Sequence, residues 1–249
     1  MKTKKILSRD NPTFKTWLRI RRTRGIKKEG VALLSGPKQV REVLAASPER
    51  CAGIIFTPHH PTPVVPSTLP RYSLSPDLFR LLDLFDTGPP LLLVRVDPFP
   101  PFTSGPYPSG CLLCIPFQDP PNVGAVIRTA AALGAAGVVM LKEAAHPFHP
   151  KSLRSAGSAV FRIPILEGPS INSLDAGEIP LITLSPNGQD LQDFEFPSTF
   201  CLLPGLEGPG LPGRLQASAQ LAIPMDRQVE SLNAATATAI VLYCWRRGR

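Results

Sequence analysis

The sequence predicts an α/β protein in two parts, and three features predict it. Short apolar runs alternate with segments of helical spacing along most of the chain. A proline-rich stretch, PFPPFTSGPYPSG over 98–110, cannot sustain a helix or a central strand and so divides the chain. Hydrophobic residues make up 43% of the 249 and charged residues 18%, enough apolar surface for a packed core and too little charge for disorder. The expected organisation is an N-terminal α/β module over 1–97, a linker over 98–110 and a second α/β module over 111–249.

Within the first module, Asn11-Pro12 opens a helix expected to run to about Arg24, with Gly25 near its end. VALLSG then reads as a strand ending at Ser35-Gly36, followed by a helix from Pro37 to about Ala46. AGIIFTP near 52–58 is another strand, LFRLLDLF around 78–85 has helical spacing, and LLLVRV at 91–96 is a continuous apolar strand. Beyond the linker, CLLCIPF, VVML, RIPIL, LITLS, CLLP and LAIPM read as buried strands of a mostly parallel sheet.

The formal net charge is +8, and its source is local. Residues 1–28 hold Lys2, Lys4, Lys5, Arg9, Lys15, Arg19, Arg21, Arg22, Arg24, Lys27 and Lys28 against Asp10 alone, an excess of +10, so the other 221 residues sum to −2. Such a cluster suits a polyanion, because neutralising phosphates releases counterions, and the neighbouring rings Phe14 and Trp17 could stack on bases. The same pattern also describes a solvated basic helix face with Trp17 packed inward. Nucleic acid is the expected partner, and Lys15, Arg19, Arg21, Arg22 and Arg24 are the expected contacts.

No apolar run is long enough to span a bilayer, since Thr236 and Thr238 break the best candidate, and the N-terminus lacks the apolar region of a secretory signal. A cytoplasmic protein is expected. Five cysteines without dense spacing fit a reducing compartment. Cys111 and Cys114, with His146 and His149, have the makings of a zinc site. They lie three apart in a strand-like run, however, and so point to opposite faces, which leaves no metal site expected.

Chemistry concentrates in three places. In DPPNVGAVIRTAAALGAAGVVML, Asn122 can cap a helix of small residues that carries Arg128 on its second turn. The alanines are explained by close packing against another backbone. Arg128 is not, and as a lone cation it needs an anionic partner, either structural or a phosphate. In LLPGLEGPGLP a strand runs into a loop with Gly205, Glu207, Gly208 and Gly210. Residues 208–213 formally match the dinucleotide pattern G-x-G-x-x-G, but Pro209 and Pro212 lack the amide hydrogens that cradle phosphate. No G-x-x-x-x-G-K-[ST] segment occurs, which removes a P-loop nucleotidase. In LAIPMDRQVESLNAATATAIVLYCWRR a strand and tight loop lead to a helix expected from near Ser231, with Ser231 and Asn233 as cap candidates and Arg246 and Arg247 suited to its C-terminal dipole.

These three segments, NVGAVIRTA, PGLEGPGL and IPMDRQVESLNAA, resemble in order and spacing the three motifs of the SpoU (TrmH-like) RNA 2'-O-ribose methyltransferases of the SPOUT superfamily. KSLRSAGSAVFRIPI is similar to the intervening segment of that family, and ILSRDNPTFKTWLRI with GPKQVREVL resembles the ribosomal-protein-like RNA-binding domain that precedes it in many members. The resemblance implies an α/β C-terminal domain with a deep trefoil knot, a departure from the usual unthreaded topology. It implies S-adenosylmethionine as cofactor, held by Leu184, Ser185, Gly205, Ile223, Ser231 and Leu232. It implies Arg128, Asn122, Glu207 and Asn233 as catalytic residues, ribosomal or transfer RNA as substrate, and a homodimer that shares its active site. A catalytically inactive knotted protein acting in ribosome assembly is the alternative; intact Asn122, Arg128, Glu207 and Asn233 count against it. Pro204 and Pro209 depart from the family pattern at the second motif, and Ser35 stands where many relatives have an acid.

Overall fold

The computed structural model describes residues 3–58, 60, 64–103, 107–205, 215–226 and 231–248. By its contacts the chain divides into two compact units, Met1–Pro98 with Pro147–Phe161, and Phe99–His146 with Arg162–Arg249.

The first unit is built on a mixed sheet of β1 (Lys4–Ile6), β2 (Val31–Leu34), β3 (Cys51–Phe56), β4 (Arg71–Leu74) and β5 (Leu91–Arg95), in the order β1-β4-β3-β5-β2. β1, β4 and β3 run parallel, and β5 is antiparallel to both β3 and β2. Its helices up to this point are α1 (Pro12–Arg19), α2 (Thr23–Glu29), α3 (Pro37–Ala46) and α4 (Pro76–Leu82). Phe14, Ile20, Ile26, Leu34, Val40, Ile54 and Leu92 are fully buried between helices and sheet. β1 and β4 were not expected, because three and four residues of mixed polarity carry almost no periodicity.

The single helix expected from Asn11 to Arg24 is two. Asn11 caps α1 as expected, its Oδ1 accepting from Thr13 N at 2.9 Å and Phe14 N at 3.4 Å. The chain then turns after Arg19, and Gly25 lies in the first turns of α2 rather than at a helix end. A Cβ on Gly25 would stand 2.1 Å from the Arg19 carbonyl oxygen, so glycine is what lets the second helix close onto the end of the first. Gly30, at φ +62°, is the residue that ends α2 in the left-handed conformation.

The second unit is a six-stranded sheet in which every pairing is parallel: β6 (Gly110–Ile115), β7 (Gly137–Met140), β8 (Ile165–Glu167), β9 (Leu181–Asp190), β10 (Thr199–Leu203) and β11 (Ala219–Ala222), ordered β11-β9-β10-β6-β7-β8. The near-continuous apolar runs of β6, β7 and β10 are what a sheet covered on both faces requires. Two 14-residue helices, α5 (Pro120–Leu133) and α7 (Ala234–Arg247), pack against each other. Trp245 of α7 meets Phe200 of β10 edge-on at 5.9 Å and anchors that helix to the sheet. The opposite face carries a cluster of Leu112, Cys114, Val139, Leu141, Ile171, Leu181, Cys201 and Leu203.

Between β7 and β8 lies α6 (Pro150–Ala156), which belongs to the first unit although it falls late in the chain. Leu153 and Ala156 are buried, Ser158 Oγ donates to Glu42 at 2.7 Å, and the Arg154 guanidinium sits 5.5 Å above the Phe85 ring.

Candidate active site

The candidate site gathers where parallel strands end and two helices begin. β10 ends at Leu203 and leads through Pro204 to Gly205, while β9 reaches Leu184 and Ser185 beside it. The register shows what happens there: β9 pairs with β11 through Thr183 and Gln220, then resumes at Gln189 and Leu221, so residues 184–188 arch out of the ladder. A Cβ on Gly205 would lie 3.9 Å from the Leu184 carbonyl oxygen, which brings the expected cofactor residues of two strands side by side. Gly188 closes the arch, and a Cβ there would stand only 2.5 Å from the Gln220 carbonyl oxygen. Ile223, half-buried, follows β11 directly, and Leu232, also half-buried, follows exposed Ser231 just before α7.

The first and third motifs meet through two asparagines. Asn122 was expected to cap α5, but Asp119 occupies that position and Pro120 and Pro121 fill the first turn, where missing amide hydrogens cost nothing. Asn122 therefore stands inside the first turn, with its side chain turned to another task. Asn233 caps α7, its Oδ1 accepting from Ala235 N at 2.9 Å and Thr236 N at 3.2 Å. That capping fixes the amide so that Nδ2 points away from the helix, and it donates to Asn122 Oδ1 at 3.4 Å. The helix expected from Ser231 consequently starts three residues later, at Ala234. Arg128 is exposed on α5, about 9 Å further along the axis than Asn122. Glu207 lies outside the described residues.

A cofactor with a flat apolar base and a polar tail has a seat here on structural grounds. Gly205 leaves room beside a backbone carbonyl, the 184–188 arch presents backbone groups away from the ladder, and Thr183 below it is buried with its hydroxyl unpartnered among the described residues. A metal ion has no such seat among the described residues, where no group of three or more His, Cys, Asp or Glu side chains converges. Cys111 and Cys114 are both buried, and burial pushes the Cys111 thiol well up. Cys114 is raised as well, by a hydrogen bond with Cys201 and by burial.

The basic N-terminal cluster is partly consumed by the first unit. Lys15 pairs with Asp10 at 2.9 Å, Arg19 with Glu29 at 3.1 Å, and Arg21 donates to the Leu81 carbonyl at 3.0 Å. Arg22 and Arg24 are exposed, as are Lys27 and Lys28 on the same helix. Phe14 and Trp17 are not available for stacking on bases: both are buried, and Trp17 meets Tyr72 edge-on at 4.9 Å. Amphipathic spacing on α1 turns the rings inward and the cations out.

Residues 111–243 match the model of the SpoU rRNA Methylase family. Over 98% of its length the chain is 45% identical to a Syntrophobacter fumaroxidans protein named ribosomal RNA small subunit methyltransferase G 2, of which it spans 49%, about half. Over 96% of its length it is 31% identical to the Bacillus subtilis 23S rRNA (guanosine(2553)-2'-O)-methyltransferase RlmP, covering 98% of that protein. The fold is similar to that of the SpoU methyltransferase AviRb from Streptomyces viridochromogenes, solved with AdoMet, at a TM-score of 0.81 and 24% identity over 95% of this chain and 97% of the other. With residues 111–243 matching the family model and 96% of its length aligned to the Bacillus enzyme, the chain belongs to the SpoU rRNA methylase family.

Proposed function

We propose that the chain transfers a methyl group from S-adenosylmethionine to the ribose 2'-hydroxyl of a nucleotide in structured ribosomal RNA. The observation that carries this reading is the Asn233–Asn122 hydrogen bond, which ties the start of α7 to the first turn of α5 and so joins the first and third family motifs. The names of the matched Syntrophobacter and Bacillus proteins support ribosomal RNA as the substrate class.

When bound, the cofactor supplies an electrophilic methyl group on a sulfonium. The protein's part is to hold a sugar hydroxyl in line with that methyl, about 3 Å away, and to stabilise the charge that develops on its oxygen. Arg128 performs that stabilisation and orients the adjoining phosphate. A guanidinium stays protonated below about pH 12, so it acts as a fixed cation and a fork of donors rather than as a base. Asn122 positions Arg128 or the ribose, Glu207 holds Arg128 or the nucleotide, and Ser231 with Asn233 shapes the loop that closes on the cofactor. Leu184, Ser185, Gly205, Ile223 and Leu232 form the cofactor's seat, several of them through backbone groups.

The same reading gives the second unit a deep trefoil knot, which the insertion of β11 beside β9 rather than beside its predecessor β10 supports. It gives the first unit the role of a ribosomal-protein-like RNA-binding module, with Lys15, Arg19, Arg21, Arg22 and Arg24 along the RNA. The active form is a cytoplasmic homodimer that works without metal, and Tyr243, more than half exposed on α7, supplies an apolar surface for a second copy. No helix among the described residues is long and apolar enough to cross a membrane.

Incubating the purified protein with methyl-labelled S-adenosylmethionine and ribosomal RNA tests the reaction. Ribose methylation blocks alkaline cleavage at the modified nucleotide, so the label is expected in alkali-resistant dinucleotides from one position. Label recovered only in single nucleotides would mean base methylation instead. For the RNA module, neutralising Arg22 and Arg24 together is expected to lower the slope of log affinity against log salt by about 1–2, the number of phosphate contacts removed. An unchanged slope would place the RNA elsewhere.

A further inference from the structure

Thr183 stands out in the second unit because it is 1% exposed and its hydroxyl has no hydrogen-bond partner among the described residues. It is not at a sheet edge: it pairs with Leu203 of β10 on one side and Gln220 of β11 on the other. Side chains two apart on a strand share a face, so Thr183 projects with Leu181 over the apolar cluster that also holds Leu203, Cys201 and Leu112. A hydroxyl placed there has given up water and gained nothing in return, which native structures rarely tolerate. Other threonines of this unit solve the problem locally, Thr129 donating to the Ala125 carbonyl at 3.0 Å and Thr238 to the Ala234 carbonyl at 2.7 Å. In extended β9 that backward bond is out of reach. The next residue along is Leu184, where the arch begins and Gly205 approaches.

We infer that Thr183 is a cofactor-binding residue, its Oγ1 forming its missing hydrogen bond with the adenosine half of S-adenosylmethionine. The inference rests on the proposed function and goes beyond the residues that the family motifs point to. The apolar surroundings select the adenosine half, because the charged amino-acid end of the cofactor would need ionic partners that Leu181, Leu203 and Cys201 do not supply. A hydroxyl both donates and accepts, so a purine nitrogen, the exocyclic amine or a ribose hydroxyl can satisfy it. From the sequence alone Thr183 is only a good strand former.

Thr183→Val keeps the branched shape and removes the hydroxyl, and Thr183→Ser restores it. Calorimetric titration of wild type and both variants would use S-adenosylmethionine, S-adenosylhomocysteine and 5'-methylthioadenosine, the last lacking the charged amino-acid end. Thr183→Val is expected to bind all three about five- to tenfold more weakly than wild type, the loss of one hydrogen bond, with Thr183→Ser close to wild type. Its ligand-free melting temperature is expected to stay level or rise, because no internal bond is lost. Unchanged affinities in Thr183→Val would overturn the inference alone, as would a loss confined to the two ligands with the charged end, or a melting temperature lowered by several degrees in the ligand-free protein. A wild type that binds none of the three would overturn the cofactor reading itself, and this inference with it.

Discussion

Replacing Arg128 by alanine is expected to lower kcat at least a hundredfold while S-adenosylmethionine binds within about twofold of its wild-type affinity. The size follows from the role. Removing one preorganised donor from a developing oxyanion costs about 10²–10³ in rate, equivalent to about 3–4 kcal/mol. The separation of effects follows from position, because Arg128 is carried by α5 whereas Leu184 is carried by the arch within β9 and Gly205 by the segment that follows β10. Arg128→Lys provides the complementary measurement: it keeps a charge and loses the planar fork, so it is expected to recover a part of the rate only. Single-turnover methyl transfer alongside calorimetric titration of the cofactor checks both halves. Parallel loss of rate and cofactor affinity would remove Arg128 from the reacting atoms and make it a structural residue.

The second large effect is expected at Gly188. A methyl group there would stand 2.5 Å from the Gln220 carbonyl oxygen, 2.6 Å from its carbon and 2.7 Å from the Leu221 carbonyl carbon. All three are backbone atoms with no rotamer to escape into, so β9 and β11 must part. Overpacking of this kind costs about 1–3 kcal/mol or more, which for a chain of this size lowers the melting temperature by roughly 2–10 °C. Since Gly188 ends the arch that holds Leu184 and Ser185, Gly188→Ala is also expected to weaken cofactor binding. Gly205→Ala separates the two consequences: its methyl meets only the Leu184 carbonyl, at 3.9 Å, among the described residues, so the fold is expected to stand while the cofactor's seat is narrowed. Thermal unfolding with and without S-adenosylmethionine distinguishes the variants. Wild-type melting in Gly188→Ala would show that the two strands are not in register as described.

Much of this was legible in the residues. β6, β7 and β10 are nearly unbroken apolar runs, and such runs announce a buried parallel sheet whatever its order. α3 falls where Pro37 and the following spacing place it, because a proline at the first helical position states both a boundary and a direction. The break after Arg19 was hidden, since residues 12–24 have continuous helical spacing and only the approach of two backbones at Gly25 reveals that glycine's purpose. The cap of α5 was hidden for a related reason: Asp119 and Asn122 rank alike as caps by type, and the two prolines between them decide the helix start at Asp119. In the site, Asn122 and Asn233 were legible as candidates, but that they touch is a fact of tertiary structure, as is the arch at 184–188. Nothing in a local pattern of Leu, Thr and Ser marks a strand that leaves its neighbour and returns.

The placement of α6 carries one more consequence. Leu153 and Ala156, encoded more than forty residues beyond the proline-rich stretch over 98–110, fill the interior of a unit whose strands are all encoded before that stretch. A ribosome that has released only the first hundred residues has therefore not yet made every piece that this unit needs, and its final closure must wait for the other half to be well under way. By the same logic, the unit is no cassette: a gene fusion or deletion with its breakpoint in the proline-rich stretch would strand α6 on the wrong side of the cut.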